Sequence, residues 1–361
     1  MRINFDEVFE DVTKYGTKIK TDEYHQSGKY PIIDQGLENI AGYTDLEDGA
    51  FENTPAIIFG DHTRIVKYAD APFFLGADGV KVLRSRFADA NYRYLYYALK
   101  NVKIPNTGYN RHFKWLKDAK ISYPNTEKQN EIVTILDKTL QIIECRQKQL
   151  QKLDDLVKAR FVELFGGIHN SKKYPYKPIQ ELTDVISGGT PNRDVNEYWE
   201  CGTIPWVKTT ELQNNLIKEV DEYITEKGLN SSSAKLVPPG TVLIAMYGQG
   251  KTRGMTAYLN IEACTNQACA CILPSDQINQ TFLWKFLILS YDDLRGMAKG
   301  GNQPNLNGTI IKNYPILYPP RELQEQFAAF VEQIDKSKAV IQKALDEAQL
   351  LFDSLMQKYF G

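Results

Sequence analysis

The segment Ala245-Met246-Tyr247-Gly248-Gln249-Gly250-Lys251-Thr252 comes nearest to a catalytic motif. It follows an apolar run and fits a relaxed phosphate-loop pattern, with alanine in place of the first glycine. In such a loop the lysine reaches the phosphates and the threonine holds magnesium. A helix must follow at once, so that its N-terminus faces the anion. Here the chain continues Arg253-Gly254-Met255-Thr256-Ala257-Tyr258-Leu259-Asn260, an early glycine and then strand-like alternation. No hydrophobic strand ending in a metal-holding aspartate accompanies it. The segment reads better as a glycine hairpin carrying Gln249, Lys251 and Arg253 outward. A P-loop nucleotide hydrolase with a coiled-coil arm is the alternative.

Other chemistries lack their residues. Carboxylate nucleases place Glu-x-Lys or Asp-x-Lys on a strand. No Glu-x-Lys occurs, and Asp118-Ala119-Lys120 lies at the run-in to a long helix. Tyr318-Pro319-Pro320-Arg321 has the wrong first residue for the Asn/Asp-Pro-Pro-aromatic motif of a DNA methyltransferase. Cys264, Cys269 and Cys271 have no histidine nearby and suit small core positions better than metal. His25, His62, His112 and His169 form no ligand pair at i, i+4. No catalytic, cofactor or metal site is expected in this chain.

Binding chemistry is better represented. From Lys100 to Lys120 there are six Lys/Arg and one acid, Asp118, interleaved with Tyr109, His112, Phe113 and Trp115. Lys and Arg beside Asn, Gln and Tyr suit phosphate positioning plus base-edge contacts. The candidate DNA-contacting residues in the first half are Asn106, Tyr109, Asn110, Arg111 and Lys114. In the second half they are Lys208, Thr209, Gln249, Lys251, Arg253, Asn302, Gln303 and Asn305.

Two globular parts must position these residues. The first shows strand-like pieces at 56–59, 64–68 and 79–83, a helix over 91–100, and a polar loop at 104–114. The second shows strands at 241–246 and 269–273, a helix over 282–289, and a Gly/Asn loop at 300–308. Both read as α+β, ending in strand, helix, loop and long helix, yet they share little sequence.

The long helices are a repeat. Residues 117–166 lie over 312–361 without a gap, with twelve identical pairs; composition alone gives about three. A 4,3 spacing from Ile132 gives Ile132, Leu136, Thr139, Ile143, Arg146, Leu150, Leu153, Val157, Arg160 and Leu164, seven of them apolar. The matching slots run from Phe327 to Tyr359, nine of ten apolar. Such a seam is made for another helix. Thr126 with Gln129 suits a capping box after Pro124, and Gly166-Gly167 suits a left-handed stop. A parallel pairing would need a return of roughly 55 Å at 1.5 Å per residue. The expected fold is therefore α+β: two globular parts joined by an antiparallel coiled coil with an approximate two-fold axis. The expected segments are 1–120, 121–166, 167–313 and 314–361.

Composition sets further bounds. The 361 residues suffice for two or more domains, and no apolar run approaches the length of a membrane span. An odd number of cysteines, five, and the absence of a signal-like N-terminus point to the cytoplasm. A net charge of −2 argues against a stand-alone nucleic-acid binder unless basic groups are clustered or partners share the phosphate contacts.

The run-ins to the two helices carry a family resemblance. They are Ile121-Ser122-Tyr123-Pro124 with Glu127-x-Gln129, and Tyr314-Pro315-Ile316-Leu317-Tyr318-Pro319-Pro320 with Glu322-x-Gln324. Together with Ile204-Pro205-Trp206-Val207 and Gly240-Thr241-Val242-Leu243-Ile244, they resemble the specificity subunits (HsdS) of type I restriction–modification systems. Asn125 departs from the second proline common there. The resemblance spans the whole chain. It implies two target-recognition domains on an antiparallel coiled coil, reading an asymmetric bipartite site in double-stranded DNA. It also implies modification subunits that bring S-adenosylmethionine and the methyl-transfer chemistry, and a translocase–nuclease subunit for restriction. A coiled-coil scaffold without DNA is a third reading.

Overall fold

The chain divides into two units, Met1–Lys148 with Gln342–Gly361, and Gln149–Ile341. The computed structural model describes residues 1–76, 78–108, 110–169, 171–248, 250–298 and 305–361. The first unit holds strands β1 (Arg2–Asn4), β2 (Phe9–Asp11), β3 (Tyr30–Ile33), β4 (Gly42–Thr44), β5 (Ala56–Gly60), β6 (Val66–Ala69), β7 (Phe74–Leu75), β8 (Val80–Ser85) and β9 (Lys120–Ser122). Its helices are α1 (Phe5–Val8), α2 (Tyr92–Lys100), α3 (Phe113–Lys117) and the start of α4 (Thr126–Phe165). The second unit holds β10 (Tyr176–Pro178), β11 (Val185–Ser187), β12 (Ile204–Val207), β13 (Asn215–Ile217), β14 (Glu222–Ile224), β15 (Val242–Ala245), β16 (Thr256–Leu259), β17 (Cys264–Thr265), β18 (Cys269–Ile272) and β19 (Pro315–Leu317). Its helices are α5 (Ile179–Leu182), α6 (Glu226–Asn230), α7 (Gln280–Leu289), α8 (Tyr291–Gly296), α9 (Gly308–Lys312) and the start of α10 (Arg321–Phe360).

The units follow one plan. The larger sheets run β2-β8-β5-β6 and β11-β18-β15-β16-β13; the smaller run β4-β3-β7 and β14-β12-β17. A short antiparallel pair, β1–β9 or β10–β19, closes each unit onto its own run-in, with Ile3 opposite Ile121 and Lys177 opposite Ile316. Only the second unit adds β13, parallel to β16.

The central strands are buried on both faces, and their period of two divides the core. Ile57 and Phe59 of β5 pack toward α2, while Ala56 and Ile58 join a separate cluster behind the sheet. Val242 and Ile244 of β15 pack toward α7, and Leu243 and Ala245 face the other way. Cys269 and Cys271 alternate with Ala270 and Ile272 on β18 in the same manner. Burial pushes the Cys264 thiol up to about 12 and the Cys271 thiol up to about 11.

The helix seam forms as its spacing predicts: none of the twenty slot residues is exposed. In the second unit Phe161 meets Phe327 at 5.5 Å, and seven residues earlier Asp154 meets Lys338 at 2.7 Å. Moving back along α4 thus moves forward along α10, so the pairing is antiparallel. In the first unit Ile132, Leu136 and Ile143 share a cluster with Ala348, Phe352 and Met356. Gly166 and Gly167 end α4 at φ +82° and +122°, a conformation costly for other residues. Among the described residues no helix is long and apolar enough to cross a membrane.

The expected capping box is not made. Asn125, not Thr126, receives the Lys128 N–H, at 3.1 Å, and Thr126 bonds Asp89 instead. Gln129 is buried, and its amide accepts the Asn91 N–H at 3.0 Å and donates to the Pro124 carbonyl at 3.0 Å. Asn91 is the N-cap of α2. Gln324 repeats this with the Asn279 N–H at 2.9 Å and the Pro319 carbonyl at 2.8 Å, Asn279 being the N-cap of α7. The repeated glutamine pins each long helix to the helix of its own globular part. Gln129→Ala or Gln324→Ala would leave two partly buried backbone groups without their partner, costing about 1–3 kcal/mol. Urea denaturation measures this; a loss below about 0.5 kcal/mol would show that the pins are dispensable.

Candidate nucleic-acid interface

In the second unit four loops are stitched into one edge by backbone hydrogen bonds. After β12, the Val207 carbonyl receives the Asn266 N–H at 3.1 Å. Met246, where the β15–β16 turn begins, donates to the Ala268 carbonyl at 2.8 Å and accepts from Leu306 at 3.0 Å. Lys208, Thr209, Lys251, Arg253 and Asn305 all fall on these segments. Gln249, Asn302 and Gln303 lie outside the described residues.

The β15–β16 turn carries its side chains on a fastened backbone. Helix α8 holds it: Tyr291 donates to the Lys251 carbonyl at 2.6 Å, and Arg295 donates to the Gly250 and Arg253 carbonyls at 2.9 and 2.8 Å. The Lys251 side chain remains exposed, and Arg253 is half-buried. The phosphate-loop alternative fails here. The turn leads into antiparallel β16, with Ile244 opposite Thr256, and no helix N-terminus follows it. Lys208 is ion-paired to Glu222 at 3.0 Å and Asp221 at 3.4 Å, so its charge is largely balanced within the unit. Thr209 is half-buried at the start of a short turn.

The first unit builds the same edge. Gly76 donates to Ile33 at 2.8 Å, Asp61 to Gly79 at 2.7 Å, and His112 to Asp61 at 2.8 Å. These bonds match the Asn266, Met246 and Leu306 bonds one for one. Asn106, Asn110, Arg111 and Lys114 are exposed on or next to the last of these segments. Asn106 accepts from the Gly108 N–H at 3.2 Å, shaping the turn, and Lys114 lies over the Trp115 ring at 4.1 Å. Tyr109 lies outside the described residues.

Two neighbours in the basic stretch face the core instead. The His112 ring is fully buried, its Nδ1 3.0 Å from the Asp61 carbonyl, and the Phe113 N–H donates to the Asp61 carboxylate at 2.7 Å. They support the edge from behind. Conversely, Gln35, His62 and Thr63 lie on the edge and escaped the sequence reading. The Gln35 amide accepts from the His62 N–H at 3.2 Å and donates to the Asp78 carbonyl at 3.1 Å, and its own carbonyl accepts the Thr63 hydroxyl at 2.6 Å. Laying the β5–β6 hairpin over β15–β16 would have found His62 and Thr63, because Asp61 and Met246 begin equivalent turns.

Among the described residues the first edge thus presents Asn, Gln, Thr, His, Lys and Arg and the second Asn, Thr, Lys and Arg, sets that contact phosphates and base edges rather than breaking bonds. Among the described residues no three His, Cys, Asp or Glu side chains gather as a metal site.

Comparison with known proteins agrees with this geometry. A sequence model described as the type I restriction modification DNA specificity domain matches residues 3–155 and 171–349. The chain is 26% identical over 352 residues to the EcoR124I/EcoR124II specificity subunit of a type I restriction enzyme from Escherichia coli, covering 91% of this chain and 84% of that one. It is 22% identical over 262 residues to the MjaIX specificity subunit from Methanocaldococcus jannaschii, covering 67% and 60%. The crystal structure of the type I restriction–modification S subunit from M. genitalium superposes with a TM-score of 0.61 at 18% identity, covering 100% of this chain and 96% of that one. That likeness establishes the fold. With both halves matched, the chain belongs to the type I restriction modification DNA specificity domain family and carries that domain twice.

Proposed function

We propose that each unit lays its loop edge in a groove of double-stranded DNA and reads one half of an asymmetric bipartite site. The observation that carries this is the four-loop edge built twice with the same backbone bonds and different side chains. One backbone solution with two chemistries suits two unlike half-sites. The contact residues are Asn106, Tyr109, Asn110, Arg111 and Lys114 for one half. For the other they are Lys208, Thr209, Gln249, Lys251, Arg253, Asn302, Gln303 and Asn305. In functional terms, 1–120 and 167–313 are the readers, and 121–166 and 314–361 are the helices between them. The chain catalyses nothing itself and works in the cytoplasm, as its five free cysteines suit.

Modification subunits dock on the long helices and bring S-adenosylmethionine and the adenine chemistry. A translocase–nuclease subunit joins for restriction. The helices carry large apolar side chains outside the seam: Val340 is 71% exposed and Leu350 69%. Leu156 and Leu351 are one of the identical repeat pairs and are 47% and 52% exposed. A leucine kept in both copies yet unused by the seam supports a protein partner at that face.

Mapping methylated adenines in cells that carry this chain with its modification subunit tests the reading directly. One asymmetric split motif is expected; no motif, or a palindrome, refutes it. Adding one heptad to both long helices inserts about 10 Å at 1.5 Å per residue. The unspecified spacer should then lengthen by about three base pairs, at about 3.4 Å each. An unchanged spacer removes the helices as its ruler.

A further inference from the structure

The β5–β6 turn of the first unit keeps an arginine where the second unit keeps a glycine. Two backbone bonds fix the match. Arg64 donates to the Gly60 carbonyl at 2.7 Å, and Gly60 donates to the Ile65 carbonyl at 2.8 Å. In the second unit Gly254 donates to the Ala245 carbonyl and Ala245 to the Met255 carbonyl, both at 2.9 Å. Both turns close through a left-handed residue, with φ +64° at Arg64 and +86° at Gly254. Glycine adopts that conformation freely, whereas a side chain there meets a steric cost. Outliers of this kind gather at functional sites.

Contacts within the protein do not account for the arginine. Its side chain is half-buried and makes one hydrogen bond among the described residues, from Nη1 to the Ile104 carbonyl at 3.3 Å. Its Nε is buried and has no partner among them. A guanidinium has several N–H donors, and leaving a buried one unmet is unfavourable. The second unit shows what a structural guanidinium does at this turn. Arg295 reaches in from α8 and donates to the Gly250 and Arg253 carbonyls at 2.9 and 2.8 Å and to the Tyr291 hydroxyl at 3.0 Å. Arg64 is the reverse case, fixed in place with most of its donors unspent.

Its place is the edge itself. Thr63, just before it, bonds the Gln35 carbonyl, and Ile104 opens the loop that carries Asn106, Asn110 and Arg111. Arg64 joins these two segments, whereas Arg111 and Lys114 stand exposed. An exposed, flexible cation suits a phosphate. A guanidinium fixed on an over-determined backbone suits a planar pair of acceptors that must be met at one angle. In the major groove guanine O6 and N7 are that pair.

We infer that Arg64 reads a guanine in the half-site of the first unit, through two guanidinium N–H groups donating to O6 and N7, and that the left-handed backbone is kept for this contact. The inference rests on the proposed reading of DNA by this edge.

The test uses the full-length chain with the modification subunit of the same system, and selection of bound sequences from a randomised pool. R64K keeps the charge but not the fork, and R64G supplies the residue that the second unit uses. Both should erase the preference for guanine at one position of one half-site and leave the other positions sharp. Affinity for the selected site should fall roughly tenfold, as for one bidentate base contact. Replacing that guanine with 7-deazaguanine removes N7; it should weaken the unmutated chain several-fold and R64K not at all. R64G should be at least as stable as the unmutated chain in urea, because the steric cost is gone. A salt slope lowered by about one with every base preference intact makes Arg64 a phosphate contact and overturns the inference. A lower urea midpoint for R64G, with preference weakened across the whole half-site, makes Arg64 a structural clip and overturns it too. So does an unmutated chain indifferent to 7-deazaguanine at every guanine of that half-site. These three outcomes leave the DNA reading standing. If the unmutated chain selects no sequence at all, that reading falls and takes this inference with it.

Discussion

Phe161→Ala should cost the second unit about 3–5 kcal/mol, the usual price of deleting a buried phenylalanine. Phe161 is fully buried and touches four other rings: Phe165 at 4.8 Å, Phe327 at 5.5 Å, Phe286 at 5.9 Å and Phe282 at 6.0 Å. Those rings belong to α4, α7 and α10, so one side chain fastens both long helices to the globular part. Few contacts elsewhere can compensate, because the neighbours are rigid aromatics that collapse poorly into a cavity. The repeat supplies a control. Position 161 corresponds to Met356, which is buried in the first unit among Tyr94, Tyr97 and Phe352. Phe161→Met keeps most of the volume and should cost less than about 1.5 kcal/mol. Hydrogen exchange read residue by residue should show Phe161→Ala lowering protection in the second unit much more than in the first. Equal losses in both units, or equal effects of the two substitutions, would contradict this account.

The long helices were legible because their signals are local and redundant. A seam residue repeats every three or four positions, and a glycine or proline marks each end. The observed α4 and α10 begin and end where those marks stand. The likeness of the two globular parts was hidden for a physical reason. A strand buried on both faces accepts any apolar residue of suitable size. Ile58 opposite Val82 therefore does the same work as Leu243 opposite Cys271 without sharing a letter. The candidate interface was half legible for a related reason. Its loops are joined by backbone N–H and carbonyl groups, which leave no trace in side-chain identity. Lys251 and Arg111 stood out by charge, whereas Gln35 did not. His112 and Phe113 share the basic stretch but occupy its inward side. Gln129, expected in a capping box with Thr126, is instead buried against the N-cap of α2, and Gln324 is buried against the N-cap of α7 in the same way.

Reversing one charge on each edge should damage opposite halves of the recognised sequence. Lys251→Glu is suited to this because the Lys251 carbonyl, not its side chain, is what Tyr291 holds. The fold should tolerate the change. An exposed lysine facing DNA contributes a phosphate contact whose loss lowers the salt slope of binding by about one. A glutamate there adds repulsion, and an affinity loss of about 10- to 100-fold is expected at moderate salt. Arg111→Glu makes the matching change on the first edge, where Arg111 is exposed. Selection of bound sequences from a randomised pool, with the modification subunit present, separates the outcomes. Lys251→Glu should flatten base preference in one half-site and leave the other sharp, and Arg111→Glu should do the reverse. A neutral variant, Lys251→Ala, should weaken binding less than the glutamate while affecting the same half. Loss of preference in the same half for both reversals would mean that the two edges do not read separate halves. Full affinity and full preference in both would remove these loops from the interface altogether.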